Sequence, residues 1–272
     1  LPGARALSFG MLGCNFECSF CQNWFSSQIC KDADAVSNIQ PISAGEVVNF
    51  GVKHRAQVAV STYNEPLITS EWANEIFKLC KQHGMITGYV SNGHATEEVL
   101  DYLRPNMDLF KVDLKTYNED NYKDLGGSLR VVLNSIEYAY KKGFWVEIVT
   151  LVVPNFNDSD VELTQIAAFI KSVSVEIPWH VTAFHSEYKM TGVENTPPET
   201  LARAAEIGRS QGLKHIYAGN IRTEGDMRNL ENTNCPSCSA VLIERTGFSV
   251  LKNNLKDGAC HKCKAKVAGV WK

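Results

Sequence analysis

Short apolar runs rich in β-branched residues recur along the chain. Between them, apolar residues return every third or fourth position. The runs predict strands near Ala6–Leu12, Val58–Ser61, Ile86–Ser91, Leu109–Leu114, Trp145–Val153 and Trp179–Phe184, with a short one near His215–Ala218. The intervening stretches predict helices with clear punctuation. Ser43-Ala-Gly-Glu46 is a capping box that opens a helix toward His54. A helix over Ser70–His83 stops at Gly84, and one over Thr96–Leu103 ends before Pro105. Leu129–Lys142 stops at Gly143, and Ser159–Ser172 places Leu163, Ile166, Ala167 and Ile170 on one face. Thr196-Pro-Pro-Glu199 combines a capping box with first-turn proline and opens a helix to Gly212.

Strands alternating with helices make β-α-β units, and these predict a parallel sheet. Right-handed crossovers close such a sheet into a barrel or a partial one, with ligands at the C-terminal strand ends. Polar residues collect at those ends. Cys14 follows the first strand, Asn64-Glu65-Pro66 the second, and Ser91-Asn92-Gly93 closes the third. Asp113 and Lys115 close the fourth, Pro154-Asn155 follows the fifth, and His185 the sixth.

The alternation dissolves after Asn220. Three parts are expected: a partial barrel over 1–220, a linker over 221–233 and a small domain over 234–272. The last part carries Cys235-x2-Cys238-x21-Cys260-x2-Cys263. Two C-x2-C knuckles on hairpin ends predict a zinc ribbon, although the central spacing is one residue long. Thiolates alone do not discriminate metals, so a single iron or a second iron–sulfur cluster also suits these four residues.

Composition narrows the field. A net charge of -3 gives no basic footprint for nucleic acid. No apolar run reaches the ~18 residues of a membrane span, and no signal-peptide pattern opens the chain. The chain starts at Leu1, which suggests a missing N-terminal segment. Seven of the nine cysteines fall into two clusters, a pattern of metal binding in a reducing cytoplasm. Cys80 reads as a small core residue, and Cys30 lies in a polar loop.

The first cluster, Cys14-x3-Cys18-x2-Cys21, follows the first strand directly. Three thiolates cannot enclose a tetrahedral structural zinc, which takes four ligands. They can hold three irons of a [4Fe-4S] cube. The fourth iron is then open to a ligand that is not protein.

This pattern, with Phe20 just before its last cysteine, resembles the radical S-adenosylmethionine (SAM) superfamily. The stretches Cys14–Trp24, Ser61-Thr-Tyr-Asn-Glu-Pro66, Val112-Asp-Leu-Lys115 and Leu151-Val-Val-Pro154 are similar to enzymes related to the pyruvate formate-lyase activating enzyme. Within that group the chain looks like the AmmeMemoRadiSam-system radical SAM enzymes, usually encoded near Memo-like and AMMECR-like proteins. The resemblance implies that the open iron binds SAM. An electron from ferredoxin or flavodoxin then cleaves SAM to a 5′-deoxyadenosyl radical that abstracts hydrogen. It implies that Phe20 lies beside adenine and that Tyr63, Asn64 and Glu65 stand at the segment receiving the methionine amino group. Tyr63 and Asn64 replace two glycines there. Ser91 and Asn92 replace an acid and a threonine, while Asp113, Lys115 and His185 match residues near the ribose and carboxylate.

Three functions stay open from the sequence. The chain is expected to be a radical SAM enzyme with an unidentified substrate. It could instead activate a glycyl-radical enzyme as partner, or be a non-enzymatic electron-transfer protein that carries a cluster without cleaving SAM.

Overall fold

A computed structural model describes residues 1–35, 39–221 and 226–271. Seven parallel strands form one sheet in chain order: β1 Ala6–Phe9, β2 Val58–Ser61, β3 Ile86–Ser91, β4 Leu109–Asp113, β5 Trp145–Val152, β6 Trp179–Ala183 and β7 Ile216–Gly219. Strictly sequential order is the topology of a barrel wall. Here β1 and β7 are the two edges, so the barrel is partial.

The helices are α1 Trp24–Ser27, α2 Ala44–Lys53, α3 Ser70–Gln82, α4 Glu97–Leu103, α5 Glu119–Asp124, α6 Leu129–Lys141, α7 Asp160–Val173 and α8 Pro198–Ser210. The Ser43 box forms as expected: its hydroxyl accepts from the Glu46 N–H while the Glu46 carboxylate accepts from the Ser43 N–H. Gly84 and Gly143 take positive φ just beyond α3 and α6. Leu163, Ile166, Ala167 and Ile170 of α7 are fully buried, and so is Cys80 of α3.

The expected capping box at Thr196 does not form. α8 starts one residue later, with Pro197 at its cap and no side-chain cap. The Thr196 hydroxyl is engaged elsewhere, donating to the Val152 carbonyl and accepting from the Phe184 N–H. Tying the ends of β5 and β6 satisfies two buried backbone groups, which outranks one exposed helix N–H. The short helices α1 and α5 have no apolar period to announce them. Strand β1 ends three residues before its expected end, because the chain turns at Gly10. A Cβ there would meet the Thr62 carbonyl oxygen at 2.3 Å.

Strand residues alternate between two layers. One set, including Leu7, Phe9, Ala59, Phe110, Val112, Ile148 and Val181, packs under the helices in the main core. The other faces a cavity inside the curved sheet. No helix among the described residues is long and apolar enough to cross a membrane.

Of the expected linker, residues 222–225 lie outside the described residues. Asp226–Glu231 forms a 3-10 turn, and Thr233 already belongs to a strand. Strands β8 Thr233–Asn234, β9 Val241–Thr246 and β10 Ser249–Asn253 make an antiparallel sheet, followed by the hairpin β11 Leu255–Lys256 and β12 Ala259–Cys260. Its own core is small: Leu242, Ile243 and Val267 around Cys235 and Cys260.

Candidate active site

A cavity of about 890 Å³ runs along the inner face of the sheet. Cys14, Cys18 and Cys21 line one end of it. The loop that carries them is pinned from several sides. The Glu17 N–H donates to the Leu125 carbonyl, the Gln28 amide to the Phe16 carbonyl, and the Lys189 N–H to the Ser19 carbonyl. Phe16 fits against Gly127, where a Cβ would lie 2.4 Å from its ring. Trp24 stacks on Tyr188, so the loop after β6 folds over the cysteine loop.

The thiols are set for ligation. The Phe16 N–H donates to Cys14 Sγ at 3.4 Å, and Ser27 Oγ lies 3.1 Å from Cys21 Sγ. Burial pushes the Cys18 thiol up to about 12 and raises Cys14 as well. A free thiolate is disfavoured there, and a bound metal would supply the missing positive charge. Three thiols supply one ligand fewer than a closed tetrahedral metal site takes, and they suit three corners of an iron–sulfur cube.

Around the same mouth stand the other expected residues. Glu65 is buried; it accepts from Ser91 Oγ at 2.7 Å, the Asn92 N–H at 2.7 Å and the Leu67 N–H at 3.0 Å. Its carboxylate thus clamps the ends of β2 and β3 while capping the turn at Pro66. Burial pushes its carboxyl up to about 7 against these three donors. Asn64 accepts from the Met11 N–H, tying β2 to the end of β1. Asn92 donates to Asn15 Oδ1 beside Cys14. Gly93 sits at φ +73°, close against Val112.

Tyr63 keeps φ at +76°, a conformation that favours glycine. Its hydroxyl reaches Ser8 at 2.7 Å. Asp113 and Lys115 point the same way from β4 and its end, with Lys115 Nζ 3.2 Å from Asp113 Oδ2. Burial alone would lower the Lys115 ammonium, but Asp113 beside it raises it above its ordinary value. Phe20 lines the cavity and packs on Phe156. Pro154, Asn155 and half-buried His185 follow their strands but are not among the lining residues.

A second layer lay unrecognised in the sequence. Lys111, Glu147, His180 and Tyr217 line the cavity below the mouth. Their signal was the period of two: Lys111-x-Asp113-x-Lys115 on β4 and Trp145-x-Glu147 on β5. The far end is lined by residues of the C-terminal part, among them Arg245 and Trp271.

That part brings four cysteines together. Cys235 and Cys263 sulfurs are 3.6 Å apart, and those of Cys238 and Cys260 3.7 Å. Four sulfurs around one zinc at the usual bond length are about 3.8 Å apart. The two knuckles repeat each other: Cys235 accepts from the Ala240-side turn at Ser239, Cys260 from Lys264, and both turn residues have positive φ.

The radical SAM superfamily model matches residues 10–165. An uncharacterized protein of Methanocaldococcus jannaschii is 34% identical over 271 residues, covering 98% of this chain and 78% of that one. The pyruvate formate-lyase 1-activating enzyme of Escherichia coli K12 is 26% identical over 236 residues, covering 79% of this chain and 93% of that one. A radical SAM methyltransferase from Sphaerobacter thermophilus superimposes with a TM-score of 0.61 at 15% identity, covering 79% of this chain and 67% of that one. Such membership implies a [4Fe-4S] cluster and SAM. Sequence, fold and site together place the chain in the radical SAM superfamily, as an enzyme of the pyruvate formate-lyase activating enzyme type.

Proposed function

We propose that Cys14, Cys18 and Cys21 hold the [4Fe-4S] cluster and that SAM occupies the mouth beside them, with a substrate reached through the same cavity. When bound, this pair supplies reductive cleavage of SAM to a 5′-deoxyadenosyl radical. The chain's own residues bind and orient. Lys115 takes the SAM carboxylate, with Asp113 holding its ammonium in place. Asn64, Glu65 and the turn at Tyr63 face the methionine amino group, and Ser91 and Asn92 line the way to the ribose. Phe20 packs beside adenine, whereas His185, which does not line the cavity, is given no contact. The cysteine loop and the β6 loop over it exclude water from the mouth. The observation that carries this reading is that three thiols, an ion pair and a buried carboxylate from three strand ends meet in one cavity.

We assign zinc to Cys235, Cys238, Cys260 and Cys263 on their tetrahedral spacing. Ferredoxin or flavodoxin serves as reductant, and Memo-like and AMMECR-like proteins are the proposed associates. On this reading the chain divides into a barrel over 1–220, a connection over 221–233 and a ribbon over 234–272. The similarity to the Escherichia coli activating enzyme favours a second reading, formation of a glycyl radical on a partner protein.

Electron paramagnetic resonance of the anaerobically reconstituted, reduced protein tests the site. SAM is expected to change the cluster signal; an unchanged signal contradicts its placement at the open iron. A glycyl-radical doublet on a candidate partner supports the second reading, and deuterium transfer from a small molecule into 5′-deoxyadenosine supports the first.

A further inference from the structure

We propose that the lower chamber of the cavity binds a small organic anion with an apolar body, and that Lys111 is its anchor. This deepens the reading above by naming the substrate class for the same cavity. Alternate residues of β4 face inward, from Leu109 through Lys111 and Asp113 to Lys115 beyond the strand end. One step of two residues along a strand is about 6.6 Å. Lys111 therefore lies one step below the Asp113–Lys115 pair, outside the set that faces SAM.

Glu147, His180, Arg245 and Glu231 of this chamber each have a hydrogen-bond partner, and Lys111 has none among the described residues. Glu147, beside Lys111 in the sheet register, accepts from His180 Nε2 at 2.7 Å and from Trp145 Nε1 at 2.8 Å. Burial alone would raise the Glu147 carboxyl, but these two partners, with a smaller contribution from the Lys111 charge, hold it down to about 2. Tyr217 stacks on His180, and its hydroxyl shares Thr233 with the Arg245 guanidinium. Glu231 faces the Gly247 N–H. Among the described residues, Lys111 forms no ion pair. A half-buried ammonium with a neighbouring carboxylate already satisfied is an anion site.

The rest of the chamber sets the body of the ligand. Leu109, Trp145 and Val149 line it from the sheet, and Val250, Val270 and Trp271 from the C-terminal part. A carboxylate or phosphate on a compact apolar group fits both halves. An inorganic anion would leave the apolar wall wet, and a neutral molecule would leave Lys111 unpaired. The whole cavity lies near the top of the range of roughly 300–1,000 Å³ for small-molecule sites.

Anaerobic equilibrium dialysis of the full, metal-loaded protein with SAM present tests this, using benzoate, phenyl phosphate, benzyl alcohol and acetate as probes. Saturable binding of benzoate or phenyl phosphate is expected, and the better of the two identifies the anionic group. Benzyl alcohol and acetate should bind about tenfold more weakly or worse. Lys111→Gln should lose about tenfold in affinity for the better anion, and Lys111→Arg should retain most of it. No saturable binding of either aromatic anion, equal binding of benzyl alcohol, or unchanged binding in Lys111→Gln would overturn the proposal. The probe comparison on the parent protein keeps it falsifiable should either variant misfold. Binding is read without SAM cleavage, so a failure of the radical reading shows up separately.

Discussion

Glu65 has two oxygens, three donors and almost no water. Removing its carboxylate strands a serine hydroxyl and two backbone N–H groups at the junction of β2 and β3. Glu65→Ala should destabilise the protein by about 2–4 kcal/mol, read as a shift in the urea midpoint. Lys115→Gln should leave folding nearly intact and weaken SAM binding by about tenfold, as expected for losing one charge-assisted hydrogen bond. Glu147 gives a pH signature. Its folded carboxyl sits below its ordinary value of 4.5, so the unfolded chain binds the proton more readily. Its contribution to stability is present above pH about 4.5 and fades as the pH falls toward 2. A flatter acid limb of the stability profile in Glu147→Gln would bear this out, and an identical limb would contradict it.

At the scale of elements, the barrel wall follows from the hydrophobic pattern, because each strand is a short apolar run bounded by turn residues. Strands β2 and β3 match their expected bounds, β7 is shifted by one residue, and the others end one to three residues early. What the pattern could not show was where hydroxyls and loops spend their hydrogen bonds. Thr196 has the sequence of a cap and the work of a strand tie. The polar inner face of β4 and β5 was equally present in the sequence. Lys111 and Glu147 alternate with buried apolar residues along β4 and β5, and only the curved sheet brings them into one chamber. Cys14, Cys18 and Cys21 were legible because they form a local spacing motif, whereas the residues lining the mouth come from strands far apart in the chain. Close approach at the strand ends is a further test. Gly10→Ala forces a Cβ to 2.3 Å from a backbone oxygen that cannot rotate away. It should cost on the order of 1–3 kcal/mol and loosen the turn leading into the cysteine loop, seen as faster amide exchange at Gly13 and Cys14.

For the whole molecule, the C-terminal part completes the cavity. Its own core has only three buried aliphatic side chains, too few to hold it without the four-cysteine site. A chelator, or Cys235→Ser, should therefore unfold this part and open the chamber bounded by Arg245 and Trp271. Increased protease cleavage after residue 233, with the barrel left intact, is the expected pattern. Uniform resistance would separate the fold of this part from its metal.

The central claim is that the three cysteines and the facing residues make one site for reductive cleavage of SAM. Anaerobic reconstitution with iron and sulfide, followed by dithionite and SAM, tests it by the yield of 5′-deoxyadenosine. The parent protein should form 5′-deoxyadenosine and methionine, and Cys18→Ala should form neither above background. A parent yield no higher than that of Cys18→Ala, with the parent's cluster intact, would contradict the claim.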